Sequence, residues 1–273
     1  TDAEGARNLL LETVPLAEQL LARPEAPIEA RAAALLVFTR TAWLGSESRD
    51  PKDTLDYLRR ALRGAETLLL AHHDLPHQLP LMPVFQQVAT VSLRMHEIDL
   101  SQRALAPLQA TLRAAIEAEP AVASHRFDLA KALMCQSLID GGRRPLAEVI
   151  AMEEEALRLQ EQAIPELGNS PEQRIWQLGN LLDYAMRRLD WYQDERYRAA
   201  VDLDRVALRM ASAAKVWNSL PEAFQNDRHA RESWLSSFVL RATLGGIRKD
   251  MTVVRVAHAE GFAFAEAMLR DNP

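Results

Sequence analysis

The sequence is poor in the residue types on which most non-helical folds depend. Its 273 residues include one cysteine, Cys135, so no intramolecular disulfide can form and a disulfide-stapled scaffold is excluded. Only 10 residues are glycine and β-branched residues are sparse, which excludes a collagen-like chain and argues against an all-β fold. The longest uninterrupted apolar stretch, residues 32–38, is far shorter than the ~20 residues that cross a bilayer, so we expect no membrane insertion by this segment.

Positive charge is also in short supply. The 32 Lys and Arg residues are outnumbered by 38 Asp and Glu residues, which gives a net charge of −6. A nucleic-acid-binding domain usually carries a basic surface or stripe, and the sequence shows no such stripe. We therefore expect no nucleic-acid partner.

Alanine and leucine, in contrast, are abundant and are spaced as in helices. The chain contains 43 Ala and 41 Leu, two strong helix formers that make up 84 of its 273 residues. Apolar residues recur every three or four positions, as one buried helix face requires, for example at Leu55, Leu58, Leu62, Ala65 and Leu69. The composition and this spacing predict an all-α protein.

Segments that contain proline or glycine divide the chain into helical blocks of similar length. These segments are residues 24–27, 50–51, 75–83, 119–120, 140–142, 168–171, 218–221 and 245–246. Proline is tolerated in the first turn of a helix, so Ser170 followed by Pro171 predicts a helix start.

A short pattern recurs near the predicted helix starts. It consists of an arginine, two apolar residues, a small residue and a glycine, and its best copies begin at Arg31 and Arg231. Weaker copies begin at Arg126 and Arg174. The copies predict helix pairs of ~45–55 residues stacked in an α-solenoid. A helical bundle without repeats is the alternative.

The domain prediction is a single helical-repeat domain over residues 1–273. Residues 1–27 form an N-terminal helix, and about five antiparallel helix pairs follow it. We place these pairs near residues 28–75, 76–120, 121–168, 169–218 and 219–273.

Two of the predicted pairs resemble tetratricopeptide repeats. In the first, Glu119-Pro120 is followed by Arg126-Phe127-Asp128-Leu129-Ala130 and then by Gly141-Gly142. In the second, Leu178-Gly179 and Leu182 follow Ser170-Pro171. The pairs depart from the family in being longer than its ~34 residues and in having leucine at most of its aromatic positions. The resemblance implies a right-handed solenoid of helix pairs.

In the tetratricopeptide fold, the first helix of each pair lines a concave groove. The resemblance therefore implies groove positions at Trp176, Asn180, Asp183 and Tyr184 in one copy, and at Phe127, Lys131, Met134 and Cys135 in the other. Aromatic side chains are common at binding hot spots, which favours a groove role for Trp176 and Tyr184. The alternative is that the aromatic residues between positions 176 and 234 pack between repeats, with Arg187 and Arg188 either exposed or paired with an acidic ligand.

The N-terminal segment is similar to a second group of proteins. Residues 6–31 resemble the segment that follows the transmembrane helix in bacterial serine/threonine kinases with C-terminal tetratricopeptide-like arrays, and those arrays share the signature seen at residues 119–130. The chain has no kinase motif, so this resemblance implies the non-catalytic sensor region of a membrane-anchored kinase, on the extracytoplasmic (periplasmic) side.

The function expected from these resemblances is binding. The partner is a peptide or a protein, with a small ligand or a second copy of the chain left open. The alternatives are a cytoplasmic adaptor and the ligand-sensing region of a transcriptional regulator.

Residues suited to catalysis are few. His72, His73 and His77, with Asp74, have a spacing that can bind zinc or nickel, which would suit a helical metal-dependent hydrolase. We interpret them instead as a solvated helix end. The run of three glutamates at 153–155 is interpreted as a solvated helix face, and Cys135 as a buried structural thiol. We therefore predict no catalytic residue, metal or cofactor.

Overall fold

The computed structural model describes residues 3–47 and 51–271, and within these ranges the secondary structure is helical, without strands. The all-α prediction is confirmed. The helices are α1 (Ala3–Leu21), α2 (Ile28–Glu47), α3 (Pro51–Ala71), α4 (Leu75–Gln78), α5 (Met82–Arg94), α6 (Ile98–Ala118), α7 (Ala123–Asp140), α8 (Leu146–Glu166), α9 (Pro171–Gln193), α10 (Leu203–Ser219), α11 (Glu222–Gln225), α12 (Arg228–Ile247) and α13 (Met251–Asp271), with 3₁₀ turns at Leu79–Leu81 and Arg198–Ala200.

The chain divides into two compact units, Thr1–Arg143 and Arg144–Pro273, which we call unit 1 and unit 2. In unit 1, α2 packs against α3, α5 packs against α6, and the helices α2, α5 and α7 follow one another side by side. In unit 2, α9 packs against α10 and α12, and α12 packs against α13. Consecutive helices thus pair within each unit, an arrangement consistent with a helical solenoid. The division of residues 1–273 into repeats of one domain stays a prediction.

Each unit has an aliphatic core made by the leucine and alanine stripes of its helices. The core of unit 1 includes Leu35, Leu58, Leu62, Phe85, Leu105, Leu108 and Leu112, all almost fully buried. The core of unit 2 includes Leu178, Leu181, Tyr184, Leu189, Val206, Met210 and Trp217. Because burial of one such side chain stabilises a fold by about 1.5–3 kcal/mol, these stripes account for most of the driving force that holds the helices together.

Most helix ends coincide with the predicted breaks. The start of α9 at Pro171 is confirmed, and the Ser170 hydroxyl oxygen accepts a hydrogen bond from the Gln173 backbone N–H at 3.3 Å. Asp202 and Asp227 cap α10 and α12 in the same way through their carboxylates. The break at residues 50–51 includes Asp50, which lies outside the described residues.

The break predicted at residues 245–246 is found slightly later in the chain, since α12 ends at Ile247 and α13 begins at Met251. Gly245 allows α12 and α13 to approach closely. A Cβ atom at this position would lie 3.0 Å from Val253 Cγ1 and 3.2 Å from Val254 Cγ2. Gly45, at the same place in the Arg31 copy of the recurring pattern, has an equivalent neighbour in Thr54 of α3. The glycine of the pattern therefore marks a helix contact close to the helix end.

This contact predicts that leucine substitutions at two adjacent glycines change the free energy of unfolding in opposite directions. Gly245→Leu should lower the free energy of unfolding by about 1–3 kcal/mol, because the new side chain would overpack the α12–α13 contact. Gly246→Leu is the matched control, since a Cβ atom at Gly246 would meet open space and leucine is the better helix former by up to about 1 kcal/mol. Urea unfolding followed by circular dichroism measures both. Equal effects at the two positions would contradict the contact.

Candidate binding surface

Unit 1 has a groove along the three helices that follow one another side by side. One cavity of about 270 Å³ is lined by Arg40, Trp43, Gln86, Gln87 and Thr90. A second, of about 360 Å³, is lined by Met82, Pro83, Gln86, Gln87, Leu108, Asp128 and Lys131. Because Gln86 and Gln87 line both cavities, the two adjoin each other. We call this surface the α2–α5–α7 groove.

The centre of the groove is polar and consists of amide and hydroxyl groups. The Thr39 hydroxyl lies 2.5 Å from Gln87 Oε1, which ties α2 to α5. Gln86 Nε2 donates to Thr90 Oγ1 at 3.2 Å, one turn further along α5. The other end of the Gln86 amide, Oε1, is buried and has no hydrogen-bond partner among the described residues. An acceptor of this kind is costly to leave unpaired, and because it is buried, a bound molecule would reach it only after the Gln86 amide rotates.

Cations and aromatic rings flank this polar centre. On α2, Arg40 is exposed, and the Trp43 ring is covered by the guanidinium of Arg94 at 4.6 Å. On α7, Lys131 Nζ lies 2.8 Å from Asp128 Oδ1 and 4.7 Å from the centre of the Phe127 ring. The groove thus has an exposed arginine on α2 and, on α7, a lysine that is paired with Asp128.

The four α7 residues that the sequence placed in a groove occupy different environments. Lys131 lines the second cavity, whereas Phe127 and Met134 are buried. Cys135 lies beside Gln86 and Thr90, and burial raises the pKa of its thiol. Lys131 is therefore the residue of this set with the most direct access to the groove. Gln86 and Gln87 were missed, although a pair of amides in the otherwise apolar Val84–Ala89 stretch was a visible signal.

The four α9 residues belong to unit 2. Trp176 is half-buried and Asp183 is exposed, whereas Asn180 and Tyr184 are buried. Tyr184 is only 2% exposed and belongs to the core cluster of the unit. A groove role for these residues stays a prediction. Further along the chain, Trp217 stacks on Trp234 with ring centres 5.1 Å apart, and both rings contact phenylalanines, so these two aromatics pack within unit 2.

Tyr184 joins the unit 2 core to a charged network on α8 and α10. Its hydroxyl donates to Glu154 Oε1 at 2.6 Å. Glu154 also pairs with Arg205 at 2.7 Å and with Arg209 at 2.8 Å. Burial by itself would raise the pKa of Glu154, but the hydrogen bonds from Tyr184 and Arg209 outweigh it and lower that pKa. Burial, followed by the hydrogen bond to Glu154, raises the pKa of Tyr184 to about 12.

The interpretation of residues 153–155 as a solvated face is wrong for Glu153, which is 0% exposed. Its carboxylate lies 2.5 Å from Arg188 Nη2 and 2.8 Å from Arg187 Nη2. Arg188 is itself 2% exposed and lies between the rings of Tyr184 and Trp191. The two arginines, considered in the sequence as a site for an acidic ligand, therefore have an acidic partner inside the unit.

Comparisons with known proteins bear on the fold. No family model matches the chain, and no curated protein does. Among solved structures, the chain is similar to the crystal structure of BtubC (BKLC) from P. vanneervenii, with 16% identity and a TM-score of 0.66. The match covers 100% of this chain and 94% of that chain. At this identity the likeness shows the helical fold alone.

The described helices also bear on membrane insertion. None of the helices within residues 3–47 and 51–271 combines the length and the apolar character that crossing a bilayer requires.

The Tyr184–Glu154 contact predicts a pH dependence of stability. The unfolded-state pKa of tyrosine is about 10, and the folded-state pKa of Tyr184 is about 12. Because the neutral phenol is favoured in the fold, its contribution is complete below pH ~10 and is lost as the pH rises through ~12. The free energy of unfolding should therefore fall between pH ~10 and ~12, and Tyr184→Phe should reduce that fall. Urea unfolding at a series of alkaline pH values measures it. An identical pH dependence in the variant would contradict the assignment.

Proposed function

We propose that the chain is a binding module and that the α2–α5–α7 groove holds an extended segment of a peptide or protein partner. The observation that carries the proposal is the pair of adjoining cavities, both of which are lined by Gln86 and Gln87. The sequence led us to expect a groove lined by residues of α7, and the proposal adds residues of α2 and α5 to that lining.

Polypeptide chemistry fits the polar centre of the groove. A primary amide offers two donors on nitrogen and an acceptor on oxygen, so Gln86 and Gln87 can match both the N–H and the C=O groups of an extended backbone. The Thr90 hydroxyl already donates to the Gln86 carbonyl oxygen at 2.9 Å and accepts from Gln86 Nε2, which leaves one further acceptor position. Because these contacts recognise the backbone, they support binding of a segment without requiring one particular sequence.

The flanking groups favour a segment with acidic residues. Arg40 and Lys131 lie at opposite ends of the groove and attract carboxylates. Trp43 provides a large rigid surface of the type found at binding hot spots. A carboxylate near Lys131 would compete with Asp128, and this competition limits how much binding energy that end supplies.

We propose binding without a reaction at this site. The candidate nucleophile beside the groove is Cys135, and a reactive cysteine needs a lowered pKa. Burial raises the pKa of this thiol instead. Its neighbours Gln86 and Thr90 are not bases that could activate it.

For the cellular setting, we propose the one that the sequence resemblance implies. The module would be the sensor region of a membrane-anchored bacterial serine/threonine kinase, on the extracytoplasmic side. Support comes from the sequence of residues 6–31 and 119–130. The alternative is a cytoplasmic adaptor or regulator region. The reading frame that encodes the residues before Thr1 distinguishes these settings, since it contains a kinase and a transmembrane helix in the first case.

The groove predicts the behaviour of peptides selected from a phage-displayed random library on the 273-residue chain. The selected peptides should be enriched in Asp and Glu. In fluorescence polarisation, Gln87→Ala combined with Lys131→Ala should weaken their binding at least about tenfold, equal to about 1.4 kcal/mol, because backbone and carboxylate contacts are lost together.

The matched control combines Gln193→Ala with Lys215→Ala, two exposed positions of the same residue types in unit 2. This variant should bind the peptides as the wild type does. Peptides that bind the groove variant and the wild type equally would overturn the proposed groove, and so would selection of no acidic peptide.

A further inference from the structure

A cluster of metal-ligating side chains lies in unit 1 and shares no residue with the lining of the α2–α5–α7 groove. One ligand atom each from His72, Asp74 and His77 lies within 4.8 Å of the other two. The rings of His72 and His77 stack with centres 5.1 Å apart and planes inclined by 15°. The His77 Nδ1 atom and Asp74 Oδ2 form a close ion pair. We propose that these three residues form a binding site for a divalent transition-metal ion such as zinc.

The local backbone holds the three residues together. His72 directly follows α3, and Asp74 and His77 lie at the start and within the single turn of α4. Gln78 Nε2 donates to the His72 carbonyl oxygen at 3.0 Å, and the His77 N–H donates to the Asp74 carbonyl oxygen at 3.2 Å. The segment from 72 to 78 is therefore fixed by its own hydrogen bonds.

The side chains, in contrast, are free to adjust. Asp74 precedes α4 as its capping residue but makes no side-chain capping bond, and among the described residues its carboxylate pairs only with His77, the other ligand from the same turn. The side chains of His77 and Asp74 are 52% and 56% exposed. A tetrahedral zinc site with zinc–ligand distances of ~2.1 Å separates its ligand atoms by about 3.4 Å. Asp74 and His77 are exposed enough for rotation of their side chains to bring the ligand atoms closer together.

The donor set determines the class of ion. Two imidazole nitrogens and one carboxylate oxygen suit zinc, nickel or cobalt, whereas magnesium and calcium prefer oxygen ligands alone. Three protein ligands leave at least one position open to water or to a further ligand. The interpretation of this segment as a helix end holds for its backbone, since α3 ends at Ala71, but it does not account for the convergence of these three side chains.

The chain contains a close control for this site. His73 is adjacent to His72, is exposed, and is not one of the three clustered ligands. A site built by the geometry above should therefore depend on His72 and His77 and not on His73. A surface that binds metal merely through the number of nearby histidines should lose affinity equally when any of the three is replaced.

The experiment uses the untagged 273-residue chain, freed of metal by chelation and titrated with Zn²⁺ by isothermal calorimetry. We expect saturable binding that His77→Ala and Asp74→Asn each weaken at least about tenfold, while His73→Ala stays within about twofold of the wild type. With Co²⁺ as the probe, the visible absorption bands of bound cobalt should appear in the wild type and His73→Ala but not in His72→Ala/His77→Ala. An equal concentration of Mg²⁺ should not compete.

Circular dichroism of the metal-free variants checks that the helical fold is intact, which we expect because Asp74 and His77 are exposed and His72 is only half-buried. Absence of saturable zinc binding in the wild type would overturn the site. An equal loss of affinity in His73→Ala and His77→Ala would also overturn it. Neither result bears on the proposed peptide groove, because the two sets of residues are separate.

Discussion

The long helices within residues 3–47 and 51–271 carry apolar side chains that are stable only when a neighbouring helix covers them. Helices of this length gain most of their stability from packing rather than from intrinsic propensity. The stripe of α3, with Leu58, Leu62 and Ala65 all buried, shows the arrangement in its simplest form. Because alanine and glycine keep these contacts close, consecutive helices pair tightly, and every other feature of the two units is built on those pairs.

The binding surface follows from this constraint. A helix with neighbours on two sides must bury residues on more than one face, and α5 does so through Phe85, Val88 and Val91. The part of the helix surface that stays accessible is the narrow strip that no neighbouring helix covers. In α5 that strip holds Gln86 and Gln87, and the adjoining strips of α2 and α7 supply the cationic flanks. The groove is therefore the part of the helix surface that packing leaves free.

Much of the fold could be predicted from the sequence because helix periodicity and proline positions are local signals. The start of α9 at Pro171 was predictable for this reason. The role of Gly245 was not, since it depends on how closely α13 approaches α12. Local spacing nevertheless contained a signal for Glu153, which lies in the buried stripe of α8 with Val149 and Ala156. Its partners Arg187 and Arg188 belong to another helix, and their pairing with Glu153 could therefore not be predicted from local spacing.

The α2–α5–α7 groove likewise contains some residues that the sequence indicated and others that it did not. Lys131 was proposed from the sequence because residues 126–130, at the start of α7, resemble a tetratricopeptide repeat. The contributions of α2 and α5 were not, because neither helix contains one of the two segments that resemble tetratricopeptide repeats, and the groove exists only once three helices lie side by side. The cluster of His72, Asp74 and His77 could be predicted in part. The spacing of His72 and His77 was visible, whereas the exclusion of His73 required the direction of each side chain.

The distribution of tryptophan gives the two units separate optical signals. Trp43 stands beside the groove of unit 1, and the other four of the five tryptophans belong to unit 2. The stacked pair of Trp217 and Trp234 has ring planes inclined by only 4°. Two indoles held at this separation couple electronically, so their near-ultraviolet circular dichroism reports on the packing of unit 2. If all four tryptophans of unit 2 are replaced by phenylalanine, the remaining tryptophan fluorescence comes from Trp43, which lines the groove.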